Sequence, residues 1–251
     1  MSLFSSDDIF LVSGASRGIG KAVAYKLLSE GAKVAAVARD TQKLAEMKEG
    51  SPCPENVFVY EADLTDTVSI VPLVKRIAAE KGLLKGMVHC AGVLQSIGFS
   101  SLKNRDKELF ELNFHAGAEL ARGFVDRKSC IGKGASIVFI SSIASLKALP
   151  GGVAYAASKG AVNSLTVSLA AELAPRKIRV NAVLPGFVKT DMLDELVSVH
   201  GEEIIDKINS QYPLGMGDVD DVAETVAFVL SDKAKWMTGS LIKIDGGGTL
   251  V

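Results

Sequence analysis

Cysteine and histidine are scarce in this 251-residue chain, three of each. Cys53, Cys90 and Cys130 are odd in number and lack ligand spacing, which speaks against a metal cluster and fits reduced thiols in a cytosol. His89, His115 and His200 are scattered, so a zinc centre is not expected. Neither charge is in excess: 28 Lys and Arg stand against 29 Asp and Glu, a formal net charge of −1. That balance points away from nucleic acid and anionic membranes as partners. The opening residues, Met-Ser-Leu-Phe-Ser-Ser-Asp-Asp, hold no basic segment followed by an apolar core, so no signal peptide is expected. No uninterrupted apolar run is long enough to span a bilayer. What the chain has in quantity is apolar side chains, 48% of it, and 24 glycines. Such a chain suits one domain over 1–251 with an ample core.

Apolar runs and amphipathic stretches alternate to the end, with no repeat or low-complexity linker. Strands are expected over 9–13, 33–38, 57–61, 86–90, 136–140, 179–184 and 241–244. Helices are expected over 18–30, 41–48, 68–81, 105–127, 154–173 and 219–230, with a break near Asn113. Strands and helices taking turns predict an α/β fold, a doubly wound parallel sheet of about seven strands with helices on both faces. Only 193–211 departs from the rhythm: helical, mixed in charge and inserted after Pro185-Gly186. Ligands of open α/β sheets bind beyond the carboxyl ends of the strands, so this insertion, near 191–212, is placed to act as a lid.

Two stretches carry chemistry. The run Ile-Phe-Leu-Val-Ser enters a turn holding Gly14, Gly18 and Gly20, and an amphipathic helix leaves it. Glycines let the backbone approach a pyrophosphate, whose charge then sits at the positive end of the helix. A strand before, a helix after and a second strand behind make this a dinucleotide turn of the Rossmann type, spaced Gly-x-x-x-Gly-x-Gly. Further on, Tyr155 and Lys159 lie four residues apart, on one face of a helix. A free phenol has a pKa near ~10 and is a reluctant acid at neutral pH. A neighbouring ammonium should bring it down towards working pH, which makes the pair a candidate acid and base.

These stretches together resemble the short-chain dehydrogenase/reductase family, in its single-domain branch. Its markers stand in order: Ser13-Gly14-Ala15-Ser16-Arg17-Gly18-Ile19-Gly20, Asp63-Leu64-Thr65-Asp66, Cys90-Ala91-Gly92, Asn113, Ile140-Ser141-Ser142, Tyr155-x-x-x-Lys159 and Pro185-Gly186. One departure is visible, Cys90 where the family usually has asparagine, a residue that braces the sheet. The resemblance implies a catalytic set of Asn113, Ser142, Tyr155 and Lys159. In it Ser142 holds the substrate carbonyl, Tyr155 donates the proton, Lys159 also holds the nicotinamide ribose, and Asn113 supports a water chain that re-protonates Lys159. It places Gly14, Ser16, Arg17, Gly18, Ile19, Gly20, Asp63, Leu64, Ala91 and Gly92 along the cofactor, Asp63 on the adenine amino group. Pro185, Gly186, Val188 and Thr190 fix the carboxamide.

Cofactor choice turns on the end of the second strand. NAD sites usually carry Asp or Glu there, for the ribose 2′-hydroxyl. Here Ala38 leaves room for a phosphate and Arg39 can pair with it, with Arg17 on the same side. NADP(H) is therefore expected over NAD(H), although Asp40 is also within reach of a ribose hydroxyl. Leu94, Ile97, Ala144, Leu146, Leu149, Phe187, Met192 and Leu193 make an apolar substrate site, with Gln95 and Ser96 among them. The chain is also similar to 3-oxoacyl-[acyl-carrier-protein] reductases, through Gly14–Gly20, the run 187–192 and the tail Ile244-Asp-Gly-Gly. Lys133 and Arg176 stand where those enzymes meet their acidic carrier protein. The expected activity is reduction of a ketone, with an alcohol, sugar or steroid dehydrogenase as the alternative, and a non-catalytic NADP-binding regulator as the other class. Small or apolar positions Ala116, Ala121, Ala161, Leu165, Ser168 and Leu169, with the apolar tail 242–251, would let copies pack closely, and the resemblance implies a homotetramer with two kinds of contact.

Overall fold

The computed structural model describes residues 2–95, 97–147, 150–190 and 203–251. Seven strands form one parallel sheet: β1 (Ile9–Ser13), β2 (Lys33–Ala38), β3 (Val57–Glu61), β4 (Gly86–His89), β5 (Ser136–Ile140), β6 (Arg179–Pro185) and β7 (Leu241–Ile244). Their order is β3-β2-β1-β4-β5-β6-β7, so the winding reverses between β1 and β4. That reversal opens a crevice beyond the carboxyl ends of β1 and β4, where ligands of such sheets bind.

β1, β4, β5 and β6 are buried along their whole length, as strands covered on both faces must be. Side chains alternate across each strand. Leu11, Ile137 and Phe139 enter the core built with α3 (Thr67–Lys81), α5 (Ala116–Phe124) and α6 (Val153–Leu173). Phe10, Val12, Val138 and Ile140 enter the one built with α1 (Gly18–Ser29), α2 (Thr41–Glu49) and α8 (Val219–Leu230). Two shorter helices remain, α4 (Arg105–Phe110) and α7 (Glu203–Asn209). Buried Arg179, at the start of β6, closes the end of α8. Its guanidinium donates to the carbonyls of Val229 at 2.7 Å, Leu230 at 3.0 Å and Ser231 at 3.1 Å. These are carbonyls a helix end leaves without partners, and the cation also suits the negative end of the dipole.

Two expectations change. The expected 105–127 helix is two helices joined by a π-helical turn, Glu111–His115, with buried Asn113 at its middle. Ala116 and Ala121 are buried in the subunit's own core, 0% and 2% exposed, and are not outer contact positions. The apolar side of α5 is wanted by the sheet and α3, so its open face carries Glu119 and Arg122 instead. Of the lid, 191–202 lies outside the described residues; α7 is helical as expected.

Candidate active site

The crevice holds a cavity of about 870 Å³, which the glycine turn enters from one end and Tyr155 from the other. Gly14 has φ +67°, and a Cβ there would stand 2.7 Å from the Ala91 nitrogen. A Cβ at Gly20 would overlap the Gly14 carbonyl. Only glycine lets the turn fold this tightly and present the first turn of α1 to the cavity, where a pyrophosphate is favoured.

Every residue expected along a dinucleotide lines this cavity except Asp63. Asp63 closes its own turn, accepting from Thr65 N at 3.0 Å and Thr65 Oγ1 at 2.8 Å, which holds its carboxyl below the usual range. The wall there is made by Ala62 and Leu64. At the end of β2 stand Ala38 and Arg39, and Asp40 is spent on α2, whose Lys43 N donates to its Oδ1 at 2.9 Å. Lys43 also lines the cavity, a third cation beside Arg17 and Arg39 that sequence reading missed. Its signal was helical position: it stands three residues past the Asp40 cap, in the first turn of α2. Small Ala38 and these cations suit a nucleotide carrying a 2′-phosphate.

Tyr155, Lys159 and Ser142 meet at the other end. Lys159 is buried, its Nζ donates to the Ile140 carbonyl at 2.9 Å and lies 5.8 Å from the centre of the Tyr155 ring. Burial disfavours its charge and lowers its pKa to about 8. Burial acts on Tyr155 in the opposite sense and pushes the phenol above its ordinary value, with only a hydrogen bond to Ser142 pulling it down. This corrects the expectation of a phenol lowered by its lysine: desolvation sets the direction, and the ammonium spends a bond on a carbonyl. A raised phenol is held protonated, the form a proton donor needs. Ser142 Oγ accepts from Ala144 N at 3.1 Å, which aims the hydroxyl.

Asn113 does not line the cavity but holds its floor. Its Oδ1 accepts from Val93 N at 2.9 Å, and its Nδ2 donates to Val93 O and to Ser158 Oγ, both at 3.0 Å. Ser158 in turn donates to the Tyr155 carbonyl at 2.8 Å. Gly92 is the spacer: a Cβ there would fall 3.1 Å from Asn113 Oδ1 and 3.4 Å from Lys159 Nζ.

The substrate half is mostly apolar, with Leu94, Ala144 and Phe187 on its wall as expected. Leu146 points outwards, 56% exposed, and Ile97 packs under Leu102 and Leu109 instead. Gln95 is not on the wall either, while Ser96, Leu149, Met192 and Leu193 lie outside the described residues. Lys147 and Tyr212, in loops expected to line the site, have roles not singled out from the sequence. Lys147 donates to the Gly248 and Val251 main-chain oxygens at 2.7 and 2.6 Å, tying the tail to the site. Tyr212 accepts from Phe187 N at 3.2 Å, and its ring fills the place of a Cβ at Gly186. Neither has a local signal, since each contact joins segments far apart in sequence.

Known proteins share this arrangement. The family model described as Enoyl-(Acyl carrier protein) reductase matches residues 14–249. A 3-oxoacyl-[acyl-carrier-protein] reductase, FabG of Staphylococcus aureus, is 34% identical over 241 residues, 94% of this chain and 96% of that one. A 3alpha-hydroxysteroid dehydrogenase of Mediterraneibacter gnavus is 33% identical over 252 residues, 98% of each. Among solved structures, a short-chain type dehydrogenase/reductase from Mycobacterium ulcerans superposes with a TM-score of 0.91 at 32% identity, covering 100% of this chain and 92% of that one. ElxO with NADP bound gives 0.89 at 29% identity, covering 97% and 99%. With a dinucleotide turn, a Tyr-Lys pair on one cavity wall and relatives along its whole length, the chain is an NAD(P)-dependent oxidoreductase, and it belongs to the short-chain dehydrogenase/reductase family.

Proposed function

We propose that the chain reduces a ketone to a secondary alcohol with NADPH, Tyr155 giving the proton. The observation that carries this is one cavity shared by the glycine turn with its Arg17, the cations Arg39 and Lys43 after β2, and a half-buried Tyr155 whose raised pKa keeps it protonated beside Ser142. The bound cofactor supplies a hydride; the protein's part is orientation and the proton. Arg17, Arg39 and Lys43 hold the 2′-phosphate end, and Lys159 holds the nicotinamide ribose. Ala62 and Leu64 line the adenine end, and Asp63 closes the turn that carries Leu64. Pro185, Gly186, Val188 and Thr190 hold the carboxamide, backed by Tyr212. Ser142 donates to the substrate oxygen and Tyr155 passes its phenolic proton to the same atom. Lys159, charged below about pH 8, stabilises the phenolate left behind, and Asn113 anchors the water chain that restores the proton.

The apolar walls favour substrates with an apolar body, and the FabG relative favours a 3-oxoacyl thioester. The hydroxysteroid dehydrogenase relative supports a second substrate class with the same chemistry. Lys133 and Arg176 precede β5 and β6, at the sheet edge opposite the cavity, and Arg176 donates to the Val125 carbonyl. Within one subunit they do not serve a carrier protein feeding this site. No described helix is long and apolar enough to cross a membrane, and Cys53, Cys90 and Cys130 are free thiols, which fits the cytoplasm. Steady-state rates with NADPH and NADH against acetoacetyl thioester, a steroid ketone, a simple ketone and an enoyl thioester test the reading. Turnover of a ketone with NADPH is expected. Turnover of the enoyl thioester alone, or a preference for NADH, contradicts it.

A further inference from the structure

We propose that His89 is a positioning residue for the active site: its imidazole ties the end of β1 to the π-helical turn and thereby fixes Asn113. The inference rests on the role of Asn113 given above. His89 ends β4, is 1% exposed and sits beside Ser13 in the sheet register. Its Nε2 lies 3.1 Å from the Leu112 carbonyl oxygen. A carbonyl only accepts, so Nε2 carries the ring proton, and Nδ1 then accepts from the Ser13 hydroxyl at 2.8 Å. Ser13 Oγ in turn accepts from Ala91 N at 3.4 Å. The donors run one way, from Ala91 through Ser13 and His89 to Leu112. Burial holds the ring neutral, with its pKa pushed down to about 3, and the nearby charge of Lys159 adds to this. One tautomer is therefore present throughout the working range.

A π-helical turn takes in an extra residue, so the carbonyl ladder of the helix is broken where it begins and ends. The imidazole supplies a donor to that ladder at Leu112, the residue directly before Asn113. With this carbonyl held, the Asn113 amide meets Val93 with its oxygen facing an N–H and its nitrogen facing a C=O. Turned over, it would set donor against donor and acceptor against acceptor. The fit extends to α5. A Cβ at Gly117 would stand 2.8 Å from His89 Cδ2, so the helix closes on the ring only because that position is glycine. Ser13, His89 and Gly117, from three separate elements, are thus matched around one carbonyl.

The test compares His89→Ala, His89→Gln, Asn113→Ala and the His89→Ala/Asn113→Ala pair, reading kcat, NADPH dissociation constant and Tm. His89→Ala should lower kcat at least about tenfold while NADPH affinity stays within about twofold, and His89→Gln, which keeps a donor and an acceptor, should recover most of kcat. Added to Asn113→Ala, it should cost no more than about twofold, because both changes remove one function. Wild-type kcat in folded His89→Ala, or losses that multiply in the pair, overturns the proposal. If Asn113→Ala alone leaves kcat unchanged, the reading of Asn113 fails and this inference with it; if Asn113→Ala is slow and His89→Ala is not, only His89 is misassigned. Should His89→Ala not fold, Gly117→Ala, which presses on the imidazole, must lower kcat, and an unchanged kcat there is equally fatal.

Discussion

At the scale of single residues, the site is governed by desolvation. Lys159 is lowered to about 8 because burial disfavours its charge, whereas Tyr155 is raised by burial. An acid that must start protonated, beside a cation that must stay charged, gives a reductase that slows as pH rises through about 8. The alkaline limb of kcat against pH should fall there; a rate still level at pH ~10, the ordinary range of a lysine, would remove Lys159 from the proton path. His89 sets the acid side of stability. Its folded pKa of about 3 lies below the ordinary 6.5, so the unfolded chain binds more protons between those values. Stability from this ring is complete above pH 6.5 and is lost as pH falls towards 3, by about 1.4 kcal/mol per pH unit. Melting of His89→Gln between pH 6.5 and 5 should lack that component, and an identical pH slope in both proteins would contradict the assignment.

Elements decide how much could be read without coordinates. Strand 9–13 was legible as a short apolar run and helix 219–230 from its period and cap; α8 starts with Asp218 and Asp221 capping reciprocally. The π-helical turn at Asn113 was legible only as a break, since its contacts, such as that of the Leu112 carbonyl with His89 on β4, lie far off in sequence. Ala116 and Ala121 misled for a related reason: small residues look alike whether they face a partner or a neighbouring helix. The closeness of Tyr155 and Lys159 was legible from spacing, but the direction of the phenol's shift depends on burial, which spacing does not carry. The loop after β2 makes a selective prediction. Arg39→Ala, or Lys43→Ala, should weaken NADPH about tenfold and leave NADH unchanged, as loss of a charge-assisted contact to the 2′-phosphate requires. Equal weakening of both cofactors, measured by fluorescence titration, would move these cations off that phosphate.

For the whole molecule, self-association is the open proposal. β7 is an edge strand with alternating exposed and half-buried residues, unlike the buried strands inside the sheet. Around it Trp236 is 97% exposed, Leu250 80% and Val251 67%. On α6, Val167 and Ser168 are open, with Ala161, Leu165 and Leu169 half-buried beside them. Two such faces on separate sides of a subunit favour a tetramer built from two isologous contacts. Light scattering at micromolar concentration should report four copies; a dimer would leave one contact, and a monomer neither. The chemistry itself has a more direct trial. NADPH oxidation should be followed with the ketone that the wild-type protein turns over fastest, in wild type and Tyr155→Phe, alongside NADPH binding. Loss of the phenolic proton should cut turnover by at least ~10²-fold with cofactor affinity nearly intact; a Tyr155→Phe enzyme as fast as wild type would contradict the assignment of Tyr155 as the proton donor.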